Sequence, residues 1–119
     1  MPSRQVTVTL ARAWHPGDRE EDGAVIAFSA VVDAQGLPDA DAWLADPEPW
    51  PARFTRAGAE PEEGDVLLDD GGWALRFARD ADAPVWRLRN IAPGFRPGEM
   101  LTLQDPRGTE SAWRVVGLG

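Results

Sequence analysis

The feature that most constrains the fold is the pattern at residues 97–119. Leu101 and Leu103 alternate there with polar side chains, and Trp113 and Val115 alternate in the same way. Successive side chains of a strand point to opposite faces, so this period of two predicts two strands with one apolar face each. An isolated hairpin is at best marginally stable in water. The rest of the chain is therefore predicted to supply a β-rich core that covers the hairpin.

The residues between the two arms predict how the strands are joined. Asp105, Pro106, Arg107 and Gly108 follow one another in the sequence. Asp favours the first position of a type I turn, Pro fixes φ at the second, and Gly adopts positive φ at the end without steric cost. The pattern predicts a tight turn that closes an antiparallel pair.

Similar strand patterns, separated by turn signals, recur along the chain. They predict strands over residues 5–14 and 24–33, an edge strand over 52–56 and a five-strand meander from about residue 65 onward. The predicted core of the meander is Trp73, Leu75, Phe77, Trp86, Leu88, Leu101, Leu103, Trp113 and Val115. With 119 residues, the chain is predicted to form a single domain over residues 1–119. The fold class is all-β: a small β-barrel or sandwich of about eight mostly antiparallel strands with one short helical turn.

The helical turn is predicted from a capping residue. Asp39 can accept a hydrogen bond at the start of residues 40–45, which would place Trp43 and Leu44 against the sheet. The small, acidic and proline-bearing stretch 57–64 favours a mobile loop.

The composition limits the function classes. The formal net charge is −8, which disfavours binding to nucleic acid and to anionic membranes, because both rely on Lys and Arg. The chain has no cysteine, so disulfides, thiolate nucleophiles and sulfur-ligated zinc are excluded. The N-terminal segment lacks a continuous apolar run of the secretory type, and a cytoplasmic location is the expectation. No cofactor is predicted.

Catalytic and metal-binding patterns are weak. His15 is the single histidine and is interpreted as a solvated loop residue. Two short acidic pairs, Asp39 with Asp41 and Asp80 with Asp82, are fragments of a calcium loop, but the spaced Asp-x-Asp-x-Asp-Gly pattern is absent. These Asp residues are expected to form turns and caps rather than a metal site.

Two aromatic residues lie in proline-rich connections. Trp50 is flanked by Pro49 and Pro51, and Phe95 lies in the segment 93–98. On rigid and exposed connections, both rings would be good anchors for a sugar or a protein partner. The alternative is that they fold back and plug the open ends of the barrel.

An arginine stripe is the second candidate binding feature. If the Trp and Leu side chains point inward, Arg76, Arg87, Arg89 and Arg114 point outward from three nearby strands. Such a face would dock on an acidic surface, including that of a second copy of this acidic protein. The alternative is a solvated face in which each arginine has a local Asp or Glu partner.

The preferred interpretation is a non-enzymatic structural or protein-interaction module. Its contacts would be the arginine stripe together with Trp50 and Phe95. The pattern Pro-Gly-Glu-x-Leu-Thr-Leu followed by Trp-Arg-Val-Val, at residues 97–116, resembles small β-barrels of phage-type head and tail proteins. The resemblance implies a structural, self-assembling role.

Two other functions remain open from the sequence. A small-ligand or carbohydrate-binding domain would use Trp50 with Trp14 or Trp43 as a platform at the barrel mouth. A carboxylate-based hydrolase would need two acidic groups converging in a cleft, drawn from the clusters at 18–22, 62–65 and 69–70.

Overall fold

The computed structural model describes residues 3–13 and 23–119, and the predictions for Trp14, His15 and the acidic residues 18–22 lie outside these ranges. These ranges contain eight strands and one helix. In chain order they are β1 (Arg4–Arg12), β2 (Val25–Val32), α1 (Ala40–Ala45), β3 (Pro51–Thr55), β4 (Glu62–Asp69), β5 (Gly72–Arg76), β6 (Trp86–Arg89), β7 (Met100–Gln104) and β8 (Glu110–Leu118).

The strands form one closed antiparallel barrel in sequential order. Each strand pairs with the next along the chain, and β1 pairs with β8 to complete the ring. The predicted all-β class with about eight antiparallel strands is confirmed, and the architecture is a barrel rather than a sandwich. The prediction that β3 is an edge strand is wrong. It pairs with both β2 and β4, because a closed barrel has no free edge.

The turn between β7 and β8 has the predicted geometry. The Gly108 N–H donates to the Asp105 carbonyl over 2.9 Å, and Gly108 has a φ of 89°. The Asp105 carboxylate accepts from the N–H groups of Arg107 and Thr109 over 2.8 and 2.9 Å. The side chain of Asp105 therefore satisfies the turn's own backbone.

The barrel interior is filled by side chains from every strand. Leu75, Leu101, Leu103, Trp113 and Val115 are buried, as the alternation predicts. The other predicted core residues are buried or pack against the core while partly exposed; they are Trp73, Phe77, Trp86 and Leu88. An eight-strand barrel is just wide enough for side chains to fill its interior. The core therefore runs through the middle of the ring.

The two ends of the barrel differ in what they carry. At one end of the antiparallel barrel the odd-numbered strands begin and the even-numbered strands end. We call this the lower end of the barrel and the opposite one the upper end. Trp43, Trp50 and Trp73 cluster at the lower end, where Trp50 stacks on Trp73 with ring centroids 5.8 Å apart. The indole N–H of Trp50 donates to Asp46 over 3.0 Å.

Trp50 and Phe95 are not exposed on their connections, as anchors for a sugar or a protein partner would be. Their exposed fractions are 3% and 1%, so both rings are part of the core. Phe95 packs edge-on against Phe28 with centroids 5.4 Å apart. The connection that carries it folds back because the Phe95 N–H donates to the Gly36 carbonyl over 2.8 Å. The alternative, that these rings close the barrel, is the one observed.

Helix α1 spans the predicted residues and has the predicted cap. Asp39 accepts from the Ala42 N–H over 3.1 Å, and the Ser3 hydroxyl donates to the other Asp39 oxygen over 2.6 Å. These hydrogen bonds, the one from Ser3 first, lower the pKa of Asp39. Trp43 faces the barrel and donates to the Val66 carbonyl over 3.0 Å. Leu44 does not pack against the barrel as expected, because the next position on a helix turns away; it is 70% exposed.

The connection between β3 and β4 is shorter than predicted. Residues 62–64 belong to β4, so the irregular stretch ends before Glu62. At Gly64 the chain that leaves β5 passes so close that a Cβ would overlap the Arg76 carbonyl. This close approach requires glycine at position 64.

Candidate binding surfaces

The structure places the four stripe arginines on the outer wall of the barrel, but in different environments. Arg87 forms a bidentate pair with Asp69 at the turn between β4 and β5, with N–O distances of 2.5 and 2.8 Å. The hydrogen bond from Arg87 lowers the pKa of Asp69, and the Gly71 N–H adds to this. The same hydrogen bond raises the pKa of Arg87. The guanidinium is thus held by a local partner.

Arg76 has a local partner as well. Its guanidinium contacts the Asp65 carboxylate over 3.1 Å and donates to the Ala81 carbonyl, also over 3.1 Å. The side chains of Arg76 and Asp65 are 15% and 18% exposed. Arg76 and Arg87 both lean toward β4, which carries the two carboxylates. This half of the stripe matches the alternative interpretation of a face neutralised by local Asp partners.

Arg89 and Arg114 form the other half of the stripe. Arg89 is exposed and donates to the amide oxygen of Gln104 over 2.9 Å. Arg114 is exposed, and within residues 3–13 and 23–119 neither arginine has a carboxylate partner. In the strand register, Arg114 lies two strands away from Arg89 and two residues further along β8 than the residue level with it. This places their Cα atoms roughly 12 Å apart.

Exposed apolar side chains surround Arg114. Met100 lies directly opposite it on β7 and is 39% exposed, and Val116, two residues further along β8, is 52% exposed. Val116 faces outward beside a bulge, where Thr9 pairs with Gly117 and Leu10 pairs with Val115. We call Arg89, Met100, Arg114 and Val116 the β6–β8 patch. It combines unneutralised positive charge with exposed apolar area.

A hollow opens at the upper end of the barrel. It has a volume of about 260 Å³, and its floor contains Phe54, Trp86 and Trp113. Trp113 is 1% exposed, whereas Trp86 is only half-buried and packs against Phe54 and Trp113 with centroids 5.5 and 6.3 Å apart. The rim carries Arg12, Arg56, Asp105, Glu110 and Ser111. An aromatic floor with a few polar groups around it is typical of a small-ligand site.

Trp50, the first residue of the tryptophan platform predicted at a barrel mouth, is buried at the lower end. Trp43 packs against Trp73 at the same end, and its indole N–H is bonded to Val66. Trp14 lies outside the described residues. Trp86, which the alternation assigned to the core, lies at the upper mouth.

The acidic pairs act as caps and turns where the structure describes them. Asp39 caps α1, and Asp80 accepts from the Asp82 N–H over 2.9 Å. Residues 3–13 and 23–119 contain no group of three or more His, Asp or Glu side chains placed to hold a metal ion.

Family models, curated proteins and solved structures give no match to this chain. No helix in the described ranges has the length and apolar character needed to cross a membrane. The surfaces of this barrel are therefore interpreted from their own chemistry.

Two features of these surfaces were not identified from the sequence. The exposure of Met100 and Val116 follows from the positions of β7 and β8 in the ring, and from the bulge beside Val116. The pairing of Arg87 with Asp69 joins residues on different strands and depends on their register. A weak signal was present for Val116, because it follows Arg114 at strand spacing on the outward face.

Proposed function

We propose that this barrel is a non-enzymatic protein-interaction module that docks on an acidic protein surface through the β6–β8 patch. The observation that carries the proposal is the position of Arg89 and Arg114, exposed and without carboxylate partners in the described chain, beside Met100 and Val116. Arginine and methionine are enriched in protein interfaces, and arginine is common among the residues that dominate binding energy.

The overall charge of the chain bears on the orientation of docking. With a net charge of −8, the molecule as a whole repels acidic partners. A locally positive patch on such a molecule fixes the orientation in which an acidic partner can approach. The filled interior adds to this, because Trp113, Phe95 and Phe28 occupy the barrel where a ligand would otherwise lie. The filled interior thus favours contacts made on the surface of the barrel.

The test is a double charge reversal, Arg89→Glu with Arg114→Glu. We expect that this variant no longer captures the proteins that the wild-type chain captures from its native extract. Capture by the wild type should also weaken as the salt concentration rises, since exposed charge pairs are screened. Quantitative mass spectrometry of the captured fraction at two ionic strengths gives the measurement. Both side chains are exposed, so the variant is expected to fold.

The matched control is Arg53→Glu with Arg107→Glu. These arginines are exposed on β3 and in the turn between β7 and β8, so the net charge changes equally on other surfaces. We expect the control to capture the same proteins as the wild type. Identical capture by all three proteins would exclude the β6–β8 patch as the docking surface.

A second candidate function is binding of a small ligand at the upper mouth. The observation that favours it is the half-buried Trp86 above a floor of Phe54 and Trp113, in a hollow of about 260 Å³ with polar groups on its rim. Such a volume suits a ligand the size of a monosaccharide or an aromatic metabolite. A stacked ring on Trp86 would provide the contact area.

Binding at the mouth is measured by tryptophan fluorescence titration with a panel of sugars and aromatic metabolites. We expect at least one member to change the emission, and Trp86→Leu to weaken that binding about tenfold, which corresponds to roughly 1.4 kcal/mol. Trp43→Phe at the lower end is the matched control and should retain the affinity. A panel without any response, or equal affinities in both variants, would remove this second function.

A further inference from the structure

The exposed large apolar side chains of the described residues lie on two separate surfaces. Met100 and Val116 belong to the β6–β8 patch, and Leu44 projects from α1. Single exposed apolar residues are common on soluble proteins and need no explanation by themselves. Arg89 and Arg114 belong to the same patch as Met100 and Val116, whereas Leu44 lies in a stretch of sequence that contains carboxylates and no arginine.

Helix α1 and the residues after it form the negative surface. Residues 39–48 contain four carboxylates, Asp39, Asp41, Asp46 and Glu48, and no arginine. Asp39 and Asp46 are used by the cap and by the indole of Trp50. Asp41 and Glu48 are exposed and flank Leu44 in sequence. We call Asp41, Leu44 and Glu48 the α1 knob.

The shape of the α1 knob follows from how the helix is attached. Trp43 anchors α1 to the barrel through its ring contact with Trp73 and its hydrogen bond to Val66. Leu44, one position further, is directed away from the barrel and is 70% exposed. The knob is thus an apolar side chain directed away from the barrel, with one carboxylate before it and one after it in the sequence.

The β6–β8 patch has the complementary composition. Met100 and Val116 provide apolar area, and Arg89 and Arg114 provide positive charge on either side of Met100. In one molecule α1 packs against β2, β4 and β5, whereas the patch lies on the outer wall of β6–β8. A contact between knob and patch would therefore join two molecules.

We infer that the α1 knob of one copy docks on the β6–β8 patch of a second copy. This inference rests on the proposed function and names the acidic partner surface. Leu44 would cover Met100 and Val116, while Asp41 and Glu48 would approach Arg89 and Arg114. The two surfaces differ, so the contact is heterologous and joins copies head to tail, as a ring if the rotation closes and as a filament if it does not.

The test uses two variants that each disable one surface. Leu44→Gln removes the apolar side chain of the knob and keeps good helix propensity, and Arg114→Glu reverses the charge at the centre of the patch. Light scattering after gel filtration measures the mass of each protein over a range of concentrations. We expect the wild-type mass to rise with concentration and fall with salt, and each variant alone to stay monomeric where the wild type assembles.

Mixing the two variants is the decisive measurement. The Leu44→Gln chain keeps an intact patch, and the Arg114→Glu chain keeps an intact knob. An equimolar mixture should therefore form one complex of two chains and grow no further, since the remaining knob and patch are both disabled. Leu44→Met, which preserves an apolar knob, should assemble like the wild type.

Several outcomes would overturn the inference. A wild-type chain that stays monomeric at every concentration and salt level would do so, as would a Leu44→Gln chain that assembles like the wild type, or a mixture that forms no complex. None of these results affects the proposed function, which is tested separately by the capture experiment with Arg89→Glu and Arg114→Glu. If the capture experiment and the assembly experiment both failed, the β6–β8 patch would be rejected as a docking surface.

Discussion

Gly64→Ala is expected to lower the free energy of unfolding by about 3 kcal/mol or more, the upper range for overpacking a well-packed site. A Cβ at position 64 would overlap the Arg76 carbonyl oxygen and lie 2.9 Å from the Ala78 nitrogen. Both are backbone atoms, so no side-chain rotation relieves the clash. Strand β4 and the chain leaving β5 would have to separate. Urea unfolding followed by circular dichroism measures the change.

Gly117→Ala is the matched control for this substitution. Gly117 also lies in a strand, but a Cβ there would meet the Thr9 side chain at 3.5 Å, an ordinary contact distance. We expect its unfolding free energy to stay within about 0.5 kcal/mol of the wild type, as for most surface changes. If Gly64→Ala were equally mild, the close approach of β4 to Arg76 would not exist in solution.

Phe95→Ala is expected to cost about 3–5 kcal/mol, the range for removing a buried aromatic side chain. This cost is unusual for a residue in a connection between strands. It follows from the 1% exposure of Phe95 and from its packing against Phe28 at the lower end. The same unfolding measurement applies, and the variant should also show a changed near-ultraviolet spectrum from the repacked end of the core.

The neighbouring Arg96→Ala is the control for Phe95. Arg96 is exposed, and its contact with the Gln35 carbonyl is long, at 3.5 Å. Its removal should change stability by less than about 0.5 kcal/mol. A cost for Phe95→Ala as small as that for Arg96→Ala would mean that Phe95 is exposed in solution.

The parts of the structure that were predictable from the sequence depend on neighbours along the chain. The strands follow from alternation, the turn at Asp105 from its residue types, and α1 from the Asp39 cap. Each of these signals depends on a few consecutive residues, so it can be recognised without knowing which distant segments pack against them. The antiparallel pairing of consecutive strands in the meander also follows, because neighbours in sequence usually pair, whereas the sequence left open whether the strands close into a barrel or form a sandwich.

The environments of Phe95 and of the stripe arginines, which the sequence left open, depend on contacts between distant segments. Phe95 is buried because its connection docks on Gly36, almost sixty residues earlier in the chain. The close contact there also requires Gly94, where a Cβ would overlap the Gln35 carbonyl. The arginine stripe divides because Arg87 reaches Asp69 across the β4–β5 turn. No local pattern around these residues encodes such partners.

The pairing of β1 with β8 has a consequence for how this barrel assembles. Thr7 and Gly119 exchange two backbone hydrogen bonds, of 2.9 and 3.0 Å, so the ring is closed by its first and last strands. Every other pairing joins strands adjacent in sequence, and can form while the chain is still being synthesised. The final seam is the most non-local contact of the fold and carries the largest loop-closure cost. Until it forms, β1 remains an open edge to which another nascent chain can add a strand.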